Sequence, residues 1–260
     1  MKKSKLTLKI VVVLLVICIF IFLTDFFIFK ENHQYISGYI CNITTEFLGI
    51  IVTLYFVQNL FDAYESKKVK NDEVQKILRY HSIISRCINE YILFFRAVVM
   101  PIDSRSFEHN FPEGFTLSDM RDLHRPNMLA RRAIQRSSIE MFYQYEKQLR
   151  ALFIRMLDNI DFNFHSEIQE TIISFINTSI TMDVSDSMIS NQHTVMDDGT
   201  RLFEFAERML GENNIEELYQ QYQNNELESN IIMPYFILFD SLNLERDIIA
   251  TYLEQIENLS

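Results

Sequence analysis

At 260 residues the chain has room for one medium domain plus a membrane anchor, or for two small domains. Its 5 glycines and 4 prolines fall far below the usual ~7% and ~5% of residues, a scarcity of turn-formers that argues against a sandwich or barrel and for helices. The net charge of −11 is unevenly placed, and the three cysteines, Cys18, Cys41 and Cys87, stand at no spacing that holds zinc or implies a disulfide framework, so they read as packing residues.

Residues 1–9 form a basic start, with Lys2, Lys3, Lys5 and Lys9. From Ile10 to Phe29 the sequence is apolar apart from Thr24 and Asp25, and at 1.5 Å per residue such a run reaches ~30 Å, the thickness of a bilayer's hydrocarbon layer. The run is too long for a secretory signal and ends in Phe26, Phe27, Ile28 and Phe29, without the small residues a cleavage site needs. A second apolar stretch, Ile36 to Phe61, follows a short polar connection. The two predict a transmembrane hairpin over residues 10–61, with helices at about 10–29 and 36–61. Lysines flank it on both outer sides, Lys67, Lys68 and Lys70 following the second helix, whereas Lys30 alone lies in the connection. The positive-inside bias then puts both termini in the cytoplasm and makes the chain a multi-pass membrane protein. Lys67, Lys68 and Lys70 are placed to meet the lipid surface.

Asp25 and Glu46 stand out within this region, because an acid at the centre of a membrane helix costs roughly 2.5 to 3.5 kcal/mol on insertion scales. Either they reach interfacial water, or they face one another or neighbouring protomers along a wet path. Gly49 and Thr53 form a small-xxx-small pair that permits close helix approach.

The remainder, residues 62–260, reads as a cytoplasmic α-helical domain, so the fold class expected is all-α. Val74, Ile77, Leu78, His81, Ile84, Ile88, Tyr91, Phe95 and Val98 recur at steps of mostly three and four residues, one face of a helix that continues from the second membrane segment and stops near Pro101. Residues 102–130 are irregular, with Thr116 or Ser118 capping a short helix and Asp119 near its positive end. Further helices are expected at about 129–160, 165–180, 194–211, 213–224 and 228–258, the last broken near Pro234 and around 241–243.

Charge divides this domain. Residues 66–157 carry 16 Lys and Arg against 10 Asp and Glu, residues 158–260 carry 3 against 20, and no lysine follows Lys147. Three readings of the acidic part stay open: a solvated surface, a face packed against the basic part, or a docking face for a basic cytoplasmic protein or ribonucleoprotein, with Asp197, Asp198, Glu216 and Glu217 as candidate contacts. Arg121, Arg125, Arg131, Arg132 and Arg136 lack a nucleic-acid motif around them and read as a solvated or lipid-facing patch, so no direct nucleic-acid binding is expected.

No phosphate-loop, dinucleotide, zinc-protease or nucleophile-elbow motif occurs, and no arginine and histidine have the spacing used by helical ribonucleases. No catalytic residue, metal site or cofactor is therefore assigned. The segment Glu46-Phe-Leu-Gly-Ile-Ile-Val-Thr-Leu-Tyr-Phe-Val-Gln-Asn-Leu-Phe61, placed after a first membrane helix and running into a charged helix, resembles the two-transmembrane effectors of bacterial anti-phage systems, including those paired with retron reverse transcriptases. That resemblance implies a protein kept silent by a partner, which damages the inner membrane when released. Three classes stay open: a self-associating membrane-perturbing effector, a membrane-tethered scaffold or signalling component, and a subunit of a transporter or channel.

Overall fold

Gln34–Val99 is one unbroken helix of 66 residues, α1, in the computed structural model of the chain. The structure describes residues 12–14, 16–21, 23–24, 34–106, 108–126, 136–212, 214–227 and 231–259. Every named element is helical, so the all-α expectation holds among the described residues. Residues 12–14, 16–21 and 23–24 are helical, within the first span expected, while Asp25 and the lysines of residues 1–9 lie outside the described residues. The second expected segment runs without a break into the helix that follows it, as the periodicity predicts: nothing in 62–99 breaks a helix, and Pro101 is the first residue there that cannot donate an amide and that biases its predecessor away from helical dihedrals.

The chain divides into two compact units, Met1–Asn71 and Asp72–Ser260, and α1 has residues in both. In the second unit α1 is a core element. Ile77, Ile84, Ile88, Tyr91, Phe95 and Val98 are buried along one stripe, with Val74, Leu78 and His81 half-buried beside them. Burial pushes the His81 imidazole below its usual range, and its Nδ1 lies 3.2 Å from the Tyr252 hydroxyl, so this histidine is a packed one.

The irregular stretch after α1 is pinned by two arginines. Arg96 donates to the Asn110 carbonyl (2.9 Å) and Ser106 Oγ (2.6 Å) and pairs with Glu108 (2.9 Å). Arg105 donates to the carbonyls of Met100 and Asp122 and to Ser138 Oγ, and burial brings its guanidinium down to about 10. Short 3-10 turns span Ile102–Ser104 and Leu117–Asp122, and at the second the Asp119 carboxylate accepts from both the amide and the hydroxyl of Thr116, the cap expected from sequence.

Six more helices follow: α2 Ser138–Asn159, α3 Ser166–Thr181, α4 Ser185–His193, α5 Leu202–Leu210, α6 Ile215–Gln223 and α7 Met233–Glu257. α3 packs on α7, α2 on α3 and α4, and α4 on α5 and α7. Phe142, Phe175 and Tyr91 meet edge-on or tilted, as do Phe153, Phe175 and Tyr252, forming an aromatic centre. Glu73 of α1 ties the segment that leads into α3: its carboxylate accepts from the amides of Asn163 and Phe164 and from His165 Nδ1 at 2.9 Å.

Three expected boundaries need correction. α2 begins at Ser138, where Ser137 Oγ accepts from the Glu140 amide; residues 127–135, with Arg131 and Arg132, lie outside the described residues. Residues 194–201 are a tight turn, not the start of a helix: Val195 bridges to Arg201, Gly199 takes φ +83°, and Asp198 accepts from the Thr200 amide. α7 is unbroken, because Pro234 falls in its first turn, where no intrahelical donor is needed, and Asn243 bonds back to the Phe239 carbonyl. α4 was not expected at all.

Candidate functional site

Apolar side chains on the first-unit part of α1 face outward. Phe47, Ile50, Val52, Phe56, Val57, Leu60 and Phe61 are exposed, with Leu60 at 70%. At roughly 25 cal/mol per Å² of apolar surface, exposing so many large apolar side chains to water is costly. By length and composition one described helix is able to cross a membrane, Thr45–Val99 within α1, with a window of mean hydropathy 1.4.

A narrow stripe inside this unit is covered. Leu14, Cys18 and Ile21 on one helical stretch, and Ile51, Gln58 and Asp62 on α1, are buried or half-buried while their neighbours are open. Gln58 Nε2 donates to Asp62 Oδ1 at 2.8 Å. Glu46 is exposed on α1, and Lys67, Lys68 and Lys70 project into solvent further along it. The Gly49 and Thr53 pair makes no close approach: a side chain at Gly49 would meet nothing within 4 Å, and Thr53 Oγ1 donates to the Gly49 carbonyl of its own turn.

On the bundle, Asp197 and Asp198 sit in the exposed turn before α5, and Glu216 and Glu217 in the exposed first turn of α6. The Thr200 amide holds the Asp198 carboxyl below its usual range. Among the described residues the ion pair joining 66–157 to 158–260 is that of Arg125 with Glu207 (3.5 Å), beside the contact of Glu73 with His165 Nδ1 (2.9 Å), so direct ion pairing accounts for little of the charge division. Arg125 and Arg121 line an open groove of about 560 Å³ with Asp122, Thr200, Glu204, Glu207 and Arg208, a mixed surface with both signs of charge. Cys87 is half-buried, and burial together with Glu90 pushes its thiol up to about 11, the behaviour of an unreactive packing cysteine.

Sequence reasoning missed the most unusual chemistry, which is inside the bundle. Glu146 of α2 and Glu245 of α7 are both 1% exposed. The Tyr91 hydroxyl of α1 donates to Glu245 Oε2 at 2.6 Å, and Ser241 Oγ donates to Oε1 at 3.0 Å. Arg150 Nη1 lies 3.7 Å from Glu146 Oε1 and donates to the Ser179 carbonyl at 2.8 Å, while Glu146 Oε2 has no hydrogen-bond partner among the described residues. Burial, reinforced at Glu146 by the neighbouring Glu245 and at Glu245 by Asp183, holds both carboxyls well above the usual range, and burial with Glu245 beside it holds the Tyr91 phenol in its neutral form. A signal for this existed: Phe142, Glu146, Leu149, Phe153, Met156 and Tyr235, Leu238, Leu242, Glu245, Ile249, Tyr252 each step by three and four, so both acids occupy core positions of their helices.

Among the described residues no group of three or more His, Cys, Asp or Glu is arranged to hold a metal ion. No protein-family model, curated protein or solved structure matches the chain.

Proposed function

We propose that this chain is an inner-membrane effector of the bacterial anti-phage kind, in which a cytoplasmic helical bundle governs a two-helix membrane hairpin that perturbs the bilayer once a partner releases it. One observation carries the reading: a single helix, α1, exposes a continuous apolar surface between Phe47 and Phe61 and supplies buried core residues from Ile77 to Val99. Such a helix needs lipid around its first part and protein around its second. The lysine flanks favour both termini in the cytoplasm, and Lys67, Lys68 and Lys70 then meet anionic headgroups. Two helices enclose no aqueous path, so the active form is a homo-oligomer, with Asp25 and Glu46 as the carboxylates at its wet interior.

The alternative is a membrane-tethered scaffold whose acidic surface binds a basic protein or ribonucleoprotein. The exposure of Asp197, Asp198, Glu216 and Glu217 favours it.

Induced expression in cells carrying a potential-sensitive dye separates the two. The effector depolarises the membrane, and Asp25→Asn with Glu46→Gln reduces the leak without lowering the amount in the membrane. Replacing both by Leu reduces it further, because lipid then becomes an acceptable neighbour. Equal depolarisation by wild type and the double-Leu variant at matched expression removes the carboxylates from the mechanism. An absence of depolarisation leaves the scaffold.

A further inference from the structure

The buried acids lie where α1 is held by the rest of the bundle. Glu245 is tied to α1 through Tyr91, and Glu146 stands on α2 beside the same polar centre. The titratable and charged groups acting on the pair are Tyr91 from α1, Tyr143, Lys147 and Arg150 from α2, and Asp183 from the turn between α3 and α4. Lys147 is exposed and spends its ammonium on Ser185 Oγ (3.1 Å), and Asp183 is occupied by the Ser185 amide (2.9 Å). Inside the bundle two carboxyl groups therefore share one guanidinium, that of Arg150, which already donates to Ser179. Two buried carboxylates facing one cation repel each other and lack the donors that would replace water, whereas a pair holding one proton is close to charge balance. The orphaned Glu146 Oε2 points the same way, since a neutral carboxyl loses far less on burial than a carboxylate.

We infer that Glu146 and Glu245 form a proton-operated latch on α1: while the pair keeps one proton beside Arg150, α7 stays fastened to α1 through the bond from Tyr91 to Glu245, and release of that proton to water leaves two buried carboxylates whose repulsion and lost hydration loosen the packing there. The pair's shared proton belongs to both acids and titrates as one macroscopic step. Both carboxyls are raised in the folded chain, so the stability they contribute is fully present below the ordinary carboxyl range and is lost as pH rises through the folded values. The latch thus opens on alkalinisation. It rests on the proposed function only in taking α1 as the helix that carries the response to the membrane.

Hydrogen exchange of the full chain in lipid nanodiscs, read on peptides covering 88–95 and 242–252 from about pH 6 to about pH 9 and corrected for the intrinsic exchange rate, tests it. In the wild type, protection falls by up to roughly tenfold per pH unit while the folded chain still holds the proton that the opened state releases, and it levels off above the folded values. With Glu146→Gln and Glu245→Gln together, protection does not change with pH, and Glu146→Gln alone, which leaves the Tyr91 and Ser241 bonds to Glu245 in place, shifts the fall to a different pH. Wild-type protection that stays constant over the whole range overturns the latch, as does a double-Gln chain that titrates like the wild type. Should the double variant not fold, the Glu146→Gln chain decides: a fall at the wild-type pH overturns the proposal. The readout needs no membrane leak, so a flat profile with intact depolarisation refutes the latch alone, and a titrating profile without depolarisation refutes the effector alone.

Discussion

Residues 47–61 and 77–99 of α1 are both rich in large apolar side chains, yet most of the first set, Ile51 aside, are open and most of the second are buried. What differs is the pattern. Over 47–61 apolar residues surround the helix, whereas over 77–99 they follow a stripe with Arg79, Ser82, Ser85, Arg86 and Asn89 on the other side. A helix apolar all round suits lipid, and a striped one suits a protein core facing water. The comparison teaches that one helix can be specified for two solvents by where its polar residues fall.

The largest expected effect breaks the core part. Phe95→Ala removes a fully buried ring that meets Phe111, Phe115 and Phe142, and it should cost about 3 to 5 kcal/mol in denaturant unfolding of the bundle. Phe56→Ala, on the exposed part, should leave that unfolding unchanged. Next in size, Leu54→Arg places a charge among lipid tails and should cost about 2.5 to 3.5 kcal/mol, read as a lower membrane-inserted fraction, whereas Arg at the equally exposed Lys76 changes nothing. Glu73→Ala deprives the segment that leads into α3 of its acceptor and should destabilise the bundle by about 1 to 3 kcal/mol, with lost amide protection at Asn163 and Phe164. Smallest of all, reversing Asp197, Glu216 and Glu217 to Lys should leave denaturant unfolding of the bundle nearly unchanged, whereas Asp198→Lys also removes the acceptor of the Thr200 amide. If these acids dock a basic partner, the same reversal weakens that association, and added salt does likewise, since exposed charges are screened over ~8 to 10 Å.

The helical class, the stop of α1 before Pro101 and the Thr116 cap were legible because each depends on local chemistry: missing turn-formers, a missing amide, a side chain within three residues of its acceptor. The helix expected from residue 194 begins only at Leu202, because Gly199 at φ +83° and the contact of Asp198 with the Thr200 amide set a turn first. Pro234 and Ser241 looked like breakers, yet a first-turn proline removes no bond, and Ser241 spends its hydroxyl on Glu245 four residues on. The acids at 146 and 245 counted toward surface charge although their register put them in the core. Their partners, Tyr91 and Arg150, are brought together only by tertiary packing, which no spacing along the chain encodes.

The central claim is that α1 lies in lipid over 47–61 and in protein over 77–99. Single cysteines at 50, 56 and 60 and at 88 and 95, in a chain whose Cys18, Cys41 and Cys87 are replaced by Ser or Ala, can be spin-labelled in nanodiscs and their collisions with oxygen and with a water-soluble nickel complex compared. The account predicts high oxygen and low nickel access at 50, 56 and 60, and low access to both at 88 and 95. High nickel access at 50, 56 and 60 would contradict it, for it would put that apolar surface in water.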